Sequence, residues 1–323
     1  MYYPHSIEEI CFDQTHIESV WDEMRPTILS YFQKYIETEG GHSTLEGKIE
    51  MLALKFGATS KPKNKPKDSK KVLERLLAEA INAFENERQD YINILDSESL
   101  YEYSADVSAF KNTTLKNHVP IIRKTLQNVQ AKELDKFRTV FGISHADNLF
   151  RVTSNIVNLA NELNDDWYSL ENFDAVKNYT DLNYNQFDTE DYTVYGVIGG
   201  GIKSHFIYKL FPHMFSNRSR EAVWGLYYLT NKKTFNCKEN SEFLMINLTE
   251  GTTQQNYFYP YGLFAFYTIR IFNLLKELYL EQGITLPENY RFVPVDNFLS
   301  FVSRSHQAEI DSLKSKISFQ YEH

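Results

Sequence analysis

Tyr192-Thr193-Val194-Tyr195-Gly196-Val197-Ile198-Gly199-Gly200-Gly201-Ile202-Lys203-Ser204-His205 is the stretch on which the fold class turns. Its β-branched and aromatic residues from 192 to 198 predict a strand. Helical spacing resumes at Ile202 and runs to Phe215, so the three glycines are expected to carry a strand into a helix. Glycine reaches backbone angles that other residues avoid and lets other groups approach the main chain closely. The free amides of a helix N-terminus favour an anion, and Lys203, Ser204 and His205 fall in that first turn.

Two nucleotide motifs come close and fail. A phosphate-binding P-loop needs Gly, four residues, then Gly-Lys-Ser/Thr. Gly196, Gly201, Lys203 and Ser204 approach that pattern, but Ile202 separates the last glycine from the lysine. One extra residue turns the lysine by about 100° around a helix. The dinucleotide pattern Gly-x-Gly-x-x-Gly lacks its last glycine and its βαβ unit.

Outward from this turn, the C-terminal side mixes periods. Residues 218–229 and 262–282 read as helices, the second ending at Gly283. Residues 242–248 read as a buried strand, 290–295 as a short extended piece and 297–317 as a last amphipathic helix. On the N-terminal side, apolar residues recur at three- and four-residue spacing over 6–38, 45–56, 69–95, 114–141 and 147–163. Pro26 and Pro120 are expected to break or kink two of these helices. Gly40-Gly41 is expected to close the first. The texture changes near 164, and the Asp/Asn/Tyr-rich run 172–191 reads as a solvated loop without the spacing of a calcium site. The expected fold is therefore mainly α. A helical bundle (1–165) is followed by an α+β half (166–323) that contains a small sheet and the glycine turn.

The chain has 323 residues, 42% hydrophobic and 24% charged, which is ordinary for a globular protein and excludes disorder as the main state. Its net charge of −9 repels a phosphate backbone globally, so nucleic-acid binding requires a local basic patch. Two segments offer one. Residues 58–71 carry six lysines and two prolines against Asp68, and read as a solvated linker or a basic finger. Residues 201–240 carry Lys203, Lys209, Arg218, Arg220, Lys232, Lys233 and Lys238 against Glu221 and Glu239. That asymmetry is the one phosphate binding needs.

His205 and His213 are the candidate general acid and base, for phosphodiester chemistry. The run from His213 to Asn217 and Arg218 faintly matches a His/Asn nuclease hairpin, but no β-hairpin precedes it. A carboxylate nuclease pattern fails because Glu242-Phe243-Leu244 lacks the lysine, and no Gly-x-Ser-x-Gly elbow occurs. Gln254 and Gln255, between a strand and the aromatic run Tyr257–Tyr261, are candidates to read a base or sugar. The ligand-binding set is thus Gly199, Gly200, Gly201, Lys203, Ser204, Asn217, Arg218, Arg220, Gln254 and Gln255.

No metal ligand is expected. The seven remaining histidines share no metal spacing, and neither Cys11 nor Cys237 sits in a ligand pattern. Two distant cysteines and no signal-like N-terminus predict a reducing cytoplasm. The most apolar stretch, 262–280, is interrupted by Arg270, Asn273, Lys276 and Glu277 and reads as a core helix, so no membrane partner is expected. No cofactor is indicated. The leading expectation is a protein that binds nucleic acid or a nucleotide through residues 199–220. The alternative is a non-catalytic helical subunit of a larger bacterial complex, such as a defence system, with an aromatic surface as its interface.

Overall fold

The computed structural model describes residues 7–42, 69–131, 134–237, 243, 246–247, 252–253 and 259–321. Helix makes up 77% of the described residues, and this overturns the expected α+β C-terminal half. Among the described residues, strand pairing in named strands is limited to Ile246 with Thr253 and Asn247 with Thr252. The segment 192–198, predicted as a strand, instead folds back on itself. Val194 and Ile198 bridge each other around Gly196, whose φ is +81°. A period-2 pattern over seven residues is satisfied equally by a tight turn that buries Val194, Val197 and Ile198.

The helices form where apolar stripes recur. In the Gln14–His42 helix, Ile17, Val20, Met24, Ile28, Phe32 and Ile36 are buried along one face. Packing of that stripe on both sides of Pro26 keeps the helix continuous through the proline, and it runs on past Gly40 and Gly41. The Ser69–Leu95 helix matches its predicted bounds and buries Leu73, Leu76, Phe84, Tyr91 and Leu95. The predicted helix 114–141 is broken. A π-helical segment, Phe110–His118, gives way to Pro120–Gln127 and then Asp135–Ile143. Val119 is extended between the first two, as the clash between a proline ring and the preceding residue demands. Ala146–Glu162 follows, ending in a π turn. From Tyr179 to Tyr192 the chain proceeds in three short 3-10 turns.

The C-terminal helices are Gly200–Leu210, Arg220–Leu229, Tyr261–Glu281, Phe292–Arg304 and Gln307–Tyr321. The predicted extended piece at 290–295 is mostly the first turn of the Phe292–Arg304 helix. Pro294 is tolerated there because first-turn amides have no intrahelical partner to lose. The short helix expected at 45–56 lies outside the described residues, as does most of the lysine-rich segment 58–71.

One continuous apolar core runs from Ile17 to Ile310. The Ser69–Leu95 helix lies against both Gly200–Leu210 and Phe292–Arg304, and the Gln14–His42 helix packs on Arg220–Leu229. Polar clasps join the same ends. Arg270 holds Glu18 with two bonds of 2.8 and 2.7 Å, Asn297 donates to the Tyr35 hydroxyl at 2.6 Å, and Tyr31 bonds His306. The Arg220–Leu229 and Phe292–Arg304 helices cross so closely that Gly225 meets the backbone of Leu299. Among the described residues, no helix is long and apolar enough to cross a membrane.

Candidate functional site

The glycine turn opens the Gly200–Leu210 helix, as the sequence predicts for this part of the stretch. Gly199 takes the N-cap position in an extended conformation, with no side-chain cap. The first-turn amides of Gly200, Gly201 and Ile202 are the orphan donors every helix leaves. All three glycines are half-buried. At the other end, Arg88 closes the helix by donating to the carbonyls of Lys209 and Leu210 at 3.0 and 3.1 Å.

The helix then turns its polar side chains inward. Lys203 is buried, donating to the Phe187 carbonyl and to Thr193 Oγ1 at 3.3 Å. Burial pushes its amine down to about 8, with Arg218 adding to the effect and Asp188 opposing it. Asp188 lies in the field of both cations. Burial raises its carboxyl, against Lys203, the Tyr261 amide bonded at 2.8 Å, and Arg218. Ser204 Oγ donates to the Gly201 carbonyl and accepts from the Arg218 amide at 3.0 Å, which ties the segment 216–219 beside the glycine turn. The structure thus brings Gly201, Lys203, Ser204 and Arg218 together and adds Asp188, which spacing along the chain did not reveal.

His205 and Asn217 meet on the neighbouring side. Nδ1 of His205 lies 3.4 Å from Asn217 Oδ1, while Asn217 Nδ2 donates to Asp296 Oδ1 at 3.1 Å. The amide orientation follows from that second bond, since only its nitrogen can donate to a carboxylate. Its oxygen then accepts from Nδ1–H of His205, which leaves Nε2 as the imidazole's acceptor. Burial raises Asp296 to about 7, although the Asn217 bond favours its ionised form; Glu221 pushes the same way as burial. Burial lowers His205 to about 4, helped by Lys209. A base that weak transfers protons poorly at neutral pH. The His205–Asn217–Asp296 chain is therefore better suited to holding one tautomer than to proton abstraction.

Lys209 sits at the same side, buried over the Phe84 ring and 3.6 Å from Glu87. Burial lowers its amine, and Glu87 opposes that. Burial alone would raise Glu87, but Lys124 and Lys209 hold its carboxyl below the usual range. Tyr91 packs edge-on against His205 and is buried beneath it.

His213 stands apart, in the turn after the helix. Its Nε2 lies 3.0 Å from Asn164 Oδ1, its ring packs on Tyr168, and its carbonyl accepts from Arg291. Burial pushes it down to about 4, with Arg291 and Arg88 contributing. Arg220 begins the next helix, which Ser219 caps by accepting from the Ala222 amide. Gln254 and Gln255 lie outside the described residues. Much of the basic stretch is engaged internally, since Lys232 pairs with Glu309 at 2.7 Å and Lys233 with Glu23. The aromatic residues Tyr259 and Tyr261, expected near a binding loop, are buried.

A second grouping lies elsewhere. Cys11, His16 and Cys237 place their ligand atoms within 4.8 Å of one another. Compared with known protein families, curated proteins and solved structures, the chain matches none.

Proposed function

We propose that this protein is a cytoplasmic binder of a small phosphate-bearing ligand of the nucleotide class, seated at the N-terminus of the Gly200–Leu210 helix. One observation carries the reading. An uncapped helix N-terminus with three half-buried glycines opens the helix that carries the buried Lys203, and Ser204 of the same turn ties the Arg218 backbone beside it. Helix-end partial charge favours an anion there, Lys203 and Arg218 outnumber Asp188 nearby, and the glycines let phosphate oxygens reach the amides.

A small ligand is favoured over a nucleic-acid strand. Strand binding draws on a row of exposed lysines and arginines that release counterions. Here Lys203, Lys209 and Arg218 are buried, and Lys232 and Lys233 are paired with acids. Catalysis forms no part of the reading, because both candidate histidines are pushed far below neutral pH.

The test is titration calorimetry with nucleoside mono-, di- and triphosphates, inorganic phosphate and short oligonucleotides, using wild type and Gly201→Ala. A methyl at Gly201 meets only the Arg218 carbonyl, at an ordinary 3.7 Å, so the fold is retained. It projects beside the amides and is expected to weaken nucleotide binding at least tenfold. No binding of any phosphate compound by the wild type refutes the reading. Stoichiometric co-purification with a protein partner, together with no phosphate binding, supports the interaction-subunit alternative instead.

A further inference from the structure

We infer that Cys11, His16 and Cys237 form a binding site for a thiophilic divalent ion of the zinc class. Cys11 lies in the 3-10 turn Glu9–Phe12, and His16 in the first turn of the Gln14–His42 helix. Cys237 is 226 residues away in sequence and follows the Arg220–Leu229 helix, which packs on the Gln14–His42 helix. The two sulfurs are 3.9 Å apart, too far for a disulfide and close to the edge of a coordination tetrahedron. Zinc–sulfur bonds of about 2.3 Å at tetrahedral angles put two thiolates roughly 3.8 Å apart. The three ligand atoms all fall within 4.8 Å, so an imidazole shift of about 1 Å completes three corners of that tetrahedron.

The donor set selects the ion. Two thiolates and an imidazole suit zinc, whereas magnesium and calcium require oxygen ligands. Cys11 and His16 are buried and Cys237 is partly exposed, which gives an ion a protected seat and a way in. The approach to Cys237 is also held in an uncommon shape. Asn231, Lys232, Phe235 and Asn236 all have left-handed backbone angles, with φ of 51°, 61°, 49° and 66°. Lysine and phenylalanine rarely adopt that region, and ligation of Cys237 by an ion fixed to the N-terminal turn stabilises such a path. The fourth corner falls to solvent or an exogenous ligand. The ion would clasp the start of the first helix to the segment that follows the Arg220–Leu229 helix.

The experiment uses the full-length protein, free of any affinity tag and kept under a phosphine reductant. The protein is stripped with chelator and titrated with zinc and with cobalt. The expected result is one equivalent of metal per chain. Cobalt should give the d–d bands of tetrahedral geometry and a thiolate charge-transfer band. Zinc should slow the reaction of the partly exposed Cys237 with a thiol reagent at least tenfold. Cys237→Ser and His16→Gln should each lower zinc affinity tenfold or more while circular dichroism keeps the wild-type helix content. Should one of these variants not fold, the other variant and thiol protection in the wild type decide. No zinc uptake by the wild type overturns the proposal. So does stoichiometry and affinity unchanged in both variants, or equal thiol reactivity with and without zinc.

Discussion

Replacing Gly225 with alanine sets two quantities against each other. In the middle of the Arg220–Leu229 helix, alanine is favoured over glycine by about 1 kcal/mol from backbone entropy alone. The new methyl carbon would stand 2.7 Å from the Leu299 carbonyl oxygen, 3.1 Å from its Cβ and 3.2 Å from its carbonyl carbon. Two of those three atoms are backbone of the Phe292–Arg304 helix, which cannot rotate away as a flexible side chain would. The helices must separate, and overpacking of this kind costs about 1–3 kcal/mol. Because the obstacle is backbone, the upper part of that range applies, and the net loss is about 1–2 kcal/mol. Spread over an unfolding entropy for a chain of this length, that lowers the thermal midpoint by about 2–3 °C. The separation also strains the bond from Asn217, just before one helix, to Asp296 in the other. Chemical denaturation followed by circular dichroism measures the loss. Gly142→Ala is the control, since nothing lies within 4 Å of the added carbon in the Asp135–Ile143 helix, and a gain of about 0.5–1 kcal/mol is expected. A Gly225→Ala protein as stable as wild type, or a Gly142→Ala protein that loses as much, refutes the close-crossing account.

Other perturbations read other parts of the fold. Arg291 is 1% exposed, bonded to Glu288 and the His213 carbonyl and stacked on Phe173, so Arg291→Lys is expected to cost about 3 kcal/mol or more, measured by urea unfolding, because an ammonium cannot span those partners. His213 has a folded pKa near 4, below its unfolded value of about 6.5, so its contribution to stability is fully present above pH 6.5 and is lost as pH falls toward 4. His213→Gln should therefore lose about 1–2 kcal/mol less than wild type between pH 7.5 and pH 5. Asp296 acts with the opposite sign: its folded pKa of about 7 lies above the unfolded value, so its penalty grows as pH rises from about 4 to 7. Asp296→Asn should gain stability relative to wild type at pH 8 and gain less at pH 4.5; a difference that does not vary with pH counts against the buried acid. Lys203→Met strands the Phe187 carbonyl and should cost about 1–3 kcal/mol by thermal unfolding.

The sequence showed the long amphipathic helices because their stripes repeat many times. Leu73, Leu76, Phe84, Tyr91 and Leu95 leave no other period available, and the Ser69–Leu95 bounds followed. The misread strand at 192–198 is short, and its alternation has a second solution once Gly196 takes a left-handed angle. At the glycine turn, local neighbours were legible: Lys203, Ser204 and His205 share a helix, and Asn217 and Arg218 follow the next turn. Their balancing partners were not. Asp188, Glu87 and Asp296 come from three separate elements, and no spacing rule links them to the lysines and histidine they face. The same holds for Cys11 and His16, whose five-residue separation gained meaning only when the fold delivered Cys237.

The clasps on the Gln14–His42 helix have a consequence for how the chain reaches this structure during synthesis. Tyr31 bonds a residue 275 positions later, Tyr35 one 262 positions later and Glu18 one 252 positions later. The Gln14–His42 helix therefore waits for these partners until 252 to 275 later residues have been made. At about 5–20 residues per second, that interval is on the order of tens of seconds. Throughout it, the Ser69–Leu95 helix can cover part of the apolar face of Gln14–His42, but the sides that meet Arg220–Leu229 and Phe292–Arg304 stay open. A nascent chain of this protein offers chaperones a partly covered apolar helix until those late partners emerge.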